Sequence, residues 1–226
     1  MCKRRMRRER HGEAAGAAAL RARLRHVYWI GGGSGAGKST IARRVAGRHG
    51  MGVYATDDAM SDHDGRFALQ NPPLLSRFKA MDMDERWVDR SPQTMLESFH
   101  WFQGELFDLI VEDLLRLSAK PGVIAEGFRL LPRLVKPLLA EPGHAVWLLP
   151  APEFRRAAFA SRGSLREIAD KTSDPDRALG NLLERDRLFT RLLCEETKRL
   201  ELPAIEIGTA MTEDDLTERV TEIFGF

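Results

Sequence analysis

The sequence has few cysteines and no long apolar segment. Its 226 residues include two cysteines, Cys2 and Cys194, which are too few for a disulfide framework or a zinc site. No apolar run approaches the length of a membrane span, and the N-terminus lacks the apolar stretch of a signal peptide. We therefore expect no membrane segment and a location in the reducing cytoplasm. The 43% hydrophobic and 30% charged content suits one sizeable α/β domain, or a domain plus a lid.

Positive charge is concentrated at the N-terminus. Residues 1–26 hold nine of the 35 Lys and Arg residues and only two of the 33 acidic residues, so the remainder has a net charge of −5. Low apolarity and high charge predict a disordered basic leader over residues 1–26, followed by a domain over residues 27–226. Binding of nucleic acid or an anionic surface by this leader is the alternative, and the acidic body argues against a nucleic-acid partner.

The rest of the chain alternates short apolar runs with helical patterns, which is typical of an α/β fold with a parallel sheet. Helices are expected after Lys38, after Glu126, after Pro152 and after Asp174, and further helices near Gln93 and Glu213. An apolar stripe at helical spacing runs from Leu96 to Leu117. The predicted strands are Val27–Ile30, Gly52–Ala55, Val123–Ala125, Ala145–Leu149 and Ala204–Ile207.

A glycine-rich segment between the first strand and the first helix fits the pattern G-x-x-x-x-G-K-[ST] at every fixed position. Such a loop wraps its backbone N–H groups around a phosphate, and the helix N-terminus adds a favourable dipole. Lys38 is expected to reach the β- and γ-phosphates and the Ser39 hydroxyl to bind Mg²⁺. The predicted nucleotide-binding residues are Gly32, Gly33, Ser34, Gly35, Ala36, Gly37, Lys38, Ser39 and Thr40.

Carboxylates follow the second and third predicted strands. Asp57 and Asp58 follow Val53–Ala55, at the sheet edge where active sites of parallel sheets lie. One of them can accept a proton from a substrate hydroxyl and the other can hold Mg²⁺; we assign the base to Asp57 and the metal to Asp58. Glu126 is placed to order magnesium waters or substrate, and Arg129 to contact substrate or phosphate. Alternatively, either aspartate could only cap the N-terminus of the next helix, and Glu126 could only form a surface pair at the end of its strand.

Arginines follow the fourth strand and recur in the long helix beyond it. Phosphoryl transfer needs positive charge over the transferring group and exclusion of water, which an arginine-bearing lid over residues 152–175 would supply. Arg155 and Arg162 are seven residues apart and can share one helix face. On the helix from about Asp176 to Leu200, Arg185 falls on the apolar face and needs a partner. That partner is either Asp186 or a neighbour, or the phosphates of ATP.

These residues resemble the small-molecule P-loop kinases, namely the shikimate and gluconate kinases, the chloramphenicol phosphotransferases and the nucleoside monophosphate kinase group. The matches are the loop Gly32–Ser39, Asp57, the Glu126-Gly127 turn and the Arg155/Arg162 helix. The resemblance implies a five-stranded parallel sheet of order 2-3-1-4-5 with a helical lid, and Asp57 as the base. The segment from about residue 60 to 105 is expected to bind the substrate, although it matches no substrate-binding region of these families. Over residues 60–91 its composition predicts short helices or irregular structure beside the site, and His63 is expected at the surface.

The predicted function is transfer of the γ-phosphate of ATP, with Mg²⁺, to a hydroxyl of a sugar, nucleoside or antibiotic-like molecule. ATP is assumed because no guanine-specifying motif is present. Two alternatives remain open, because the phosphate loop also occurs in ATPases and regulators. One is a nucleotide-dependent ATPase or switch without a small acceptor, and the other is a nucleic-acid end kinase that uses the basic leader.

Overall fold

The computed structural model describes residues 16–66, 72–155 and 164–226. The strands are β1 (Val27–Gly32), β2 (Gly52–Ala55), β3 (Val123–Glu126), β4 (Ala145–Pro150) and β5 (Ala204–Ile207). They form one parallel sheet in the order β2-β3-β1-β4-β5. All five predicted strands, their parallel pairing and the expected order are thus confirmed.

Short helices dominate the first half of the chain, and one long helix follows β4. Residues 16–23 are also helical. In chain order, the further helices are α1 (Lys38–His49), α2 (Met60–Arg66), α3 (Pro73–Ala80), α4 (Met83–Trp87), α5 (Pro92–Ser98), α6 (His100–Gln103), α7 (Phe107–Arg116), α8 (Pro132–Val135), α9 (Ser164–Ala169), α10 (Pro175–Arg199) and α11 (Glu213–Phe224). Two 3₁₀ turns, Lys136–Leu138 and Pro142–His144, precede β4.

The sheet is covered on both faces because alternate side chains of its strands enter two separate cores. In β1, Val27 and Trp29 pack with α10 and the short helices, whereas Ile30 packs with α1 and α11. In β4, Trp147 joins the first core and Leu148 the second. Burial on both faces explains why these strands are continuous apolar runs in the sequence.

The apolar stripe from Leu96 to Leu117 is not one helix, as its spacing predicted, but three. The chain leaves helical geometry at Phe99 (φ −77°, ψ 111°), and it turns again at Gly104 (φ 90°) and Leu106 (φ 64°). The side chains Phe99, Phe102, Ile110 and Leu114 still share one core. The helical period therefore indicated most of the buried face correctly, but not the breaks in the backbone or the exposure of Leu117.

The last residues of the expected leader belong to the folded domain. Leu24 is buried in the first core, and the Arg21 Nε donates to the carbonyl oxygen of Pro137 at 2.8 Å. Residues 1–15 of the predicted leader lie outside the described residues. Within the described part of the chain, no helix combines the length and apolarity that a bilayer span requires.

Candidate nucleotide and acceptor site

The loop between β1 and α1 is shaped by glycines in conformations that other residues rarely adopt. Gly35 and Gly37 have φ of 78° and 75°. A β-carbon at Gly32 would lie 2.2 Å from the carbonyl oxygen of Leu148, and one at Gly33 would lie 2.6 Å from the Thr190 hydroxyl. The start of the loop is therefore pressed between β4 and α10, and only glycine fits there.

The N-terminus of α1 has the features of an anion site. Gly37 is its N-cap, no side chain caps the helix, and the first turn contains no acidic residue. A β-carbon at Gly37 would meet no atom within 4 Å, so the space above the helix end is open. The buried Lys38 donates from Nζ to the carbonyl oxygen of Gly33 at 2.9 Å, which folds its ammonium group back over the loop. Backbone N–H groups, helix dipole and ammonium together suit a bound phosphate.

A cavity of about 220 Å³ joins this loop to two carboxylates. Asp57 enters it from the turn after β2, and Glu126 enters it from the end of β3. Its lining residues are Ser34, Gly35, Ala36, Gly37, Lys38, Ser39, Asp57, Glu126, Phe128 and Leu165. Six of the nine predicted loop residues thus line the cavity. Gly32, Gly33 and Thr40 are not among the lining residues.

Glu126 is a buried carboxylate whose charge is only partly compensated. Burial raises the pKa of Glu126, and the negative charge of Asp57 raises it further. A hydrogen bond with Ser39 and the positive charge of Lys38 lower the pKa, but it stays above its ordinary value. A carboxylate held in this way, next to a lysine and a hydroxyl in a cavity, is typical of a functional position.

The donor set of the cavity fits Mg²⁺ bound together with a nucleotide. Mg²⁺ in phosphate-transfer sites uses one or two carboxylates and substrate oxygens rather than an all-protein cage. Ser39, Asp57 and Glu126 supply oxygens of that kind. The described residues contain no group of three or more His, Cys, Asp or Glu that could hold a metal alone. Asp58, the predicted metal residue, is exposed and is not among the lining residues, whereas Glu126 is.

Arg129 is a structural clamp in this structure. It is buried, and its guanidinium donates to the carbonyl oxygens of Thr56 at 3.4 Å and Leu106 at 3.3 Å. It also lies over the Trp101 ring, 5.7 Å from the centroid. Arg129 is not among the residues that line the cavity, and its side chain supports the turn that carries Asp57.

Of the two predicted lid arginines, the structure describes Arg155 but not Arg162. Arg162 falls within residues 156–163, which the structure does not describe. Arg155 is buried, and its Nη1 donates to Thr190 Oγ1 at 3.4 Å. It lines a second cavity of about 290 Å³, beside Arg187 and Arg191, rather than the cavity at the phosphate loop.

Arg185 points inward, as the helix pattern predicted, and has a protein partner. Its Nε and Nη2 donate to Asp186 Oδ1 at 2.9 and 2.6 Å. The guanidinium lies 5.1–5.4 Å from the ring centroids of Trp87, Phe99 and Phe102. Of the two roles left open for Arg185, the structure shows the structural pairing; the side chain is not among those lining the phosphate-loop cavity.

A polar cluster behind the site was not predicted. Tyr54, His63 and Arg66 all donate to the carboxylate of Asp113 on α7. Sequence reasoning favours a surface position for His63, yet its side chain is only 1% exposed. The partners are separated by 47–59 residues, so no local pattern could reveal the cluster.

Comparison with known proteins adds no assignment to this geometry. No protein-family model matches the chain, and no curated protein matches it.

Proposed function

We propose that this chain is an ATP-dependent phosphotransferase with a P-loop NTPase fold and a helical lid over about residues 152–175. It moves the γ-phosphate to a hydroxyl of a small acceptor. The observation that carries the proposal is that the phosphate loop Ser34–Ser39, Asp57 and Glu126 line the same cavity. A loop alone would support only nucleotide binding, whereas a carboxylate beside it supports proton removal from an acceptor.

Each residue has a distinct task in this reaction. The acceptor oxygen bonds to the γ-phosphorus, the bond from that phosphorus to the bridging oxygen of ADP breaks, and Asp57 takes the hydroxyl proton. Lys38 and the N-terminus of α1 neutralise the phosphate oxygens. Ser39 and Glu126 would hold Mg²⁺, which when bound would supply further charge neutralisation. Arg155 anchors the first turn of the proposed lid through Thr190.

The described lining supports an acceptor without negative charge next to the reacting hydroxyl. Asp57 and Glu126 repel anions on the acceptor side, and the one cation among the described lining residues is Lys38, at the phosphate loop. Phe128 and Leu165 offer an apolar surface beside these carboxylates. A sugar, a nucleoside or an amino-sugar antibiotic fits this combination better than an acidic acceptor. ATP and such acceptors are available in the cytoplasm, where we place the protein.

The test is a transfer screen with the full chain. Labelled ATP and Mg²⁺ are incubated with nucleosides, sugars, amino-sugar antibiotics and shikimate-like acids, and product masses are measured. We expect a phosphorylated neutral or cationic acceptor, no product with Lys38→Ala, and full product with Lys198→Ala, which changes an exposed lysine on α10. ATP turnover without any phosphorylated acceptor would instead support a nucleotide-dependent ATPase or switch.

A further inference from the structure

One carboxylate on α7 collects hydrogen bonds from four side chains. Asp113 Oδ2 accepts from the Tyr54 hydroxyl at 2.9 Å and from His63 Nε2 at 2.7 Å. Its Oδ1 accepts from Arg66 Nη1 at 3.1 Å and from Arg116 Nη1 at 3.2 Å. Three of these partners belong to other elements, so Asp113 joins α7 to β2 and α2.

The partners flank the turn that carries Asp57. Tyr54 lies on β2, three residues before Asp57, and His63 and Arg66 lie on α2, six and nine residues after it. Asp113 therefore holds the chain on both sides of the turn formed by residues 56–59. The side chain of Asp113 is not among those lining the phosphate-loop cavity.

The side of the turn nearest the sheet is already fixed by other contacts. The Thr56 N–H donates to the Glu126 carbonyl oxygen at 2.9 Å, and Arg129 donates to the Thr56 carbonyl oxygen at 3.4 Å. A β-carbon at Gly127 would lie 1.7 Å from Thr56 Oγ1, so the two loops are in close contact. The side toward α2 is held by the bonds of His63 and Arg66 to Asp113.

Burial distinguishes this cluster from a surface ion pair. His63 is 1% exposed, and its Nδ1 is buried with no hydrogen-bond partner, while its Nε2 is kept on Asp113. Burial raises the pKa of Asp113, but the hydrogen bonds from His63, Tyr54 and Arg66 and the charge of His63 together outweigh this effect and hold the pKa below its ordinary value. Asp113 is therefore ionised at neutral pH and accepts all of these bonds.

We propose that Asp113 is a positioning residue, which holds the turn at residues 56–59 so that the Asp57 carboxylate faces the phosphate loop. This inference rests on the proposed function for its catalytic consequence. Its structural content, that Asp113 fixes the turn, is independent of the reaction. A displacement of about 1 Å in a reacting group can cost on the order of 100-fold in rate, so such a clamp matters to catalysis.

The structural arm of the test is amide hydrogen exchange of the full chain, followed by mass spectrometry. With Asp113→Ala we expect exchange in peptides covering residues 56–63 to accelerate about tenfold or more, with no change over α1 and β3. The matched control is Arg116→Gln, which removes a bond to the same carboxylate but touches neither flank of the turn. If Asp113→Ala unfolds the chain, Tyr54→Phe removes one flank alone and should accelerate exchange in the same peptides.

The kinetic arm uses the acceptor found in the transfer screen. We expect Asp113→Ala to lower kcat about 10- to 100-fold while the KM for ATP changes less than about twofold, because the phosphate loop is untouched. Unchanged exchange over residues 56–63 in Asp113→Ala, or in Tyr54→Phe where Asp113→Ala does not fold, would overturn the inference, whatever the activity. Absence of any transfer by the wild type would instead overturn the proposed function and leave the exchange result to decide the role of Asp113.

Discussion

The backbone N–H of Thr56 donates to the carbonyl oxygen of Glu126 at 2.9 Å. This bond continues the pairing of β2 with β3, in which Ala55 lies opposite Glu126. It brings the turn with Asp57 next to the end of β3, so that both carboxylates enter one cavity with Lys38 and Ser39. The site is thus a direct consequence of parallel strand pairing.

Replacement of Lys38 should remove nucleotide binding. Lys38→Ala loses the ammonium group folded over the phosphate loop, so we expect MgATP to give no thermal stabilisation. A site-specific ligand at 100 times its Kd stabilises the wild type by about 2.7 kcal/mol, which is easily measured as a shift of Tm. The matched variant Lys198→Ala should keep the full shift. An unchanged MgATP shift in Lys38→Ala would contradict the placement of the phosphates.

The two neighbouring aspartates should differ in their effects. Asp57 lines the cavity and Asp58 does not, so Asp57→Asn should lower transfer about 100- to 10,000-fold, as expected for loss of a general base. Asp58→Asn should reduce transfer far less and raise the Mg²⁺ requirement only if Asp58 holds the metal through water. Rates measured over a Mg²⁺ titration separate these roles. Asp89→Asn, an exposed aspartate, serves as the control. Equal losses in Asp57→Asn and Asp58→Asn would rule out the distinction.

The ionised carboxylate of Glu126 should destabilise the folded protein when no ligand is bound. Because its folded pKa is raised, the folded state binds the proton more tightly, and stability falls as pH rises through the unfolded and then the folded pKa. Glu126→Gln should therefore raise Tm by a few degrees at pH 7, and this gain over the wild type should shrink as the pH falls towards 4, while Mg²⁺-dependent transfer is abolished. Glu218→Gln, on the exposed face of α11, should leave both unchanged. A lower Tm for Glu126→Gln at neutral pH would contradict this electrostatic description.

The buried pair Arg185–Asp186 should couple strongly in unfolding experiments. Arg185→Met leaves a carboxylate that is 1% exposed without its cation, at a cost of about 3–5 kcal/mol, whereas Arg185→Met with Asp186→Leu should recover most of that loss. Urea unfolding of the two single variants and the double variant measures the coupling. The double variant should also keep the MgATP thermal shift. Loss of that shift in a stable double variant would assign Arg185 to the phosphates instead.

Much of the fold could be predicted from the sequence because its signals are local. Each strand is a short segment rich in apolar residues and bounded by Gly, Pro or Asp, and burial on both faces keeps the run continuous in β1, β3 and β4. The long helix α10 begins at Asp174-Pro175, where the Asp side chain caps the Arg177 N–H. The breaks between α5 and α7 escaped prediction because the buried side chains keep a helical spacing across them, and Leu106, with φ 64°, carries no sequence signal for a turn.

The part of the site that depends on local sequence signals was also predictable. The loop Gly32–Ser39 has fixed spacing, and Asp57 and Glu126 each follow a predicted strand, so sheet topology alone brings them together. Arg129 and Asp113 bind partners that are distant in the sequence. Arg185 pairs with the adjacent Asp186, but the sequence offered ATP phosphates as an equal alternative. Sequence alone therefore left Arg185 with two possible roles and placed His63 at the surface, where the structure shows a buried ring held by Asp113.

The central claim is that Asp57 and the phosphate loop act together in phosphate transfer. Its most direct test is product mass spectrometry with MgATP and the acceptor from the screen, run for the wild type and Asp57→Asn beside a calorimetric titration of MgATP. We expect at least about 100-fold less phosphorylated acceptor from Asp57→Asn than from the wild type, and MgATP affinity in Asp57→Asn within about threefold of the wild type. Full transfer by Asp57→Asn would contradict it.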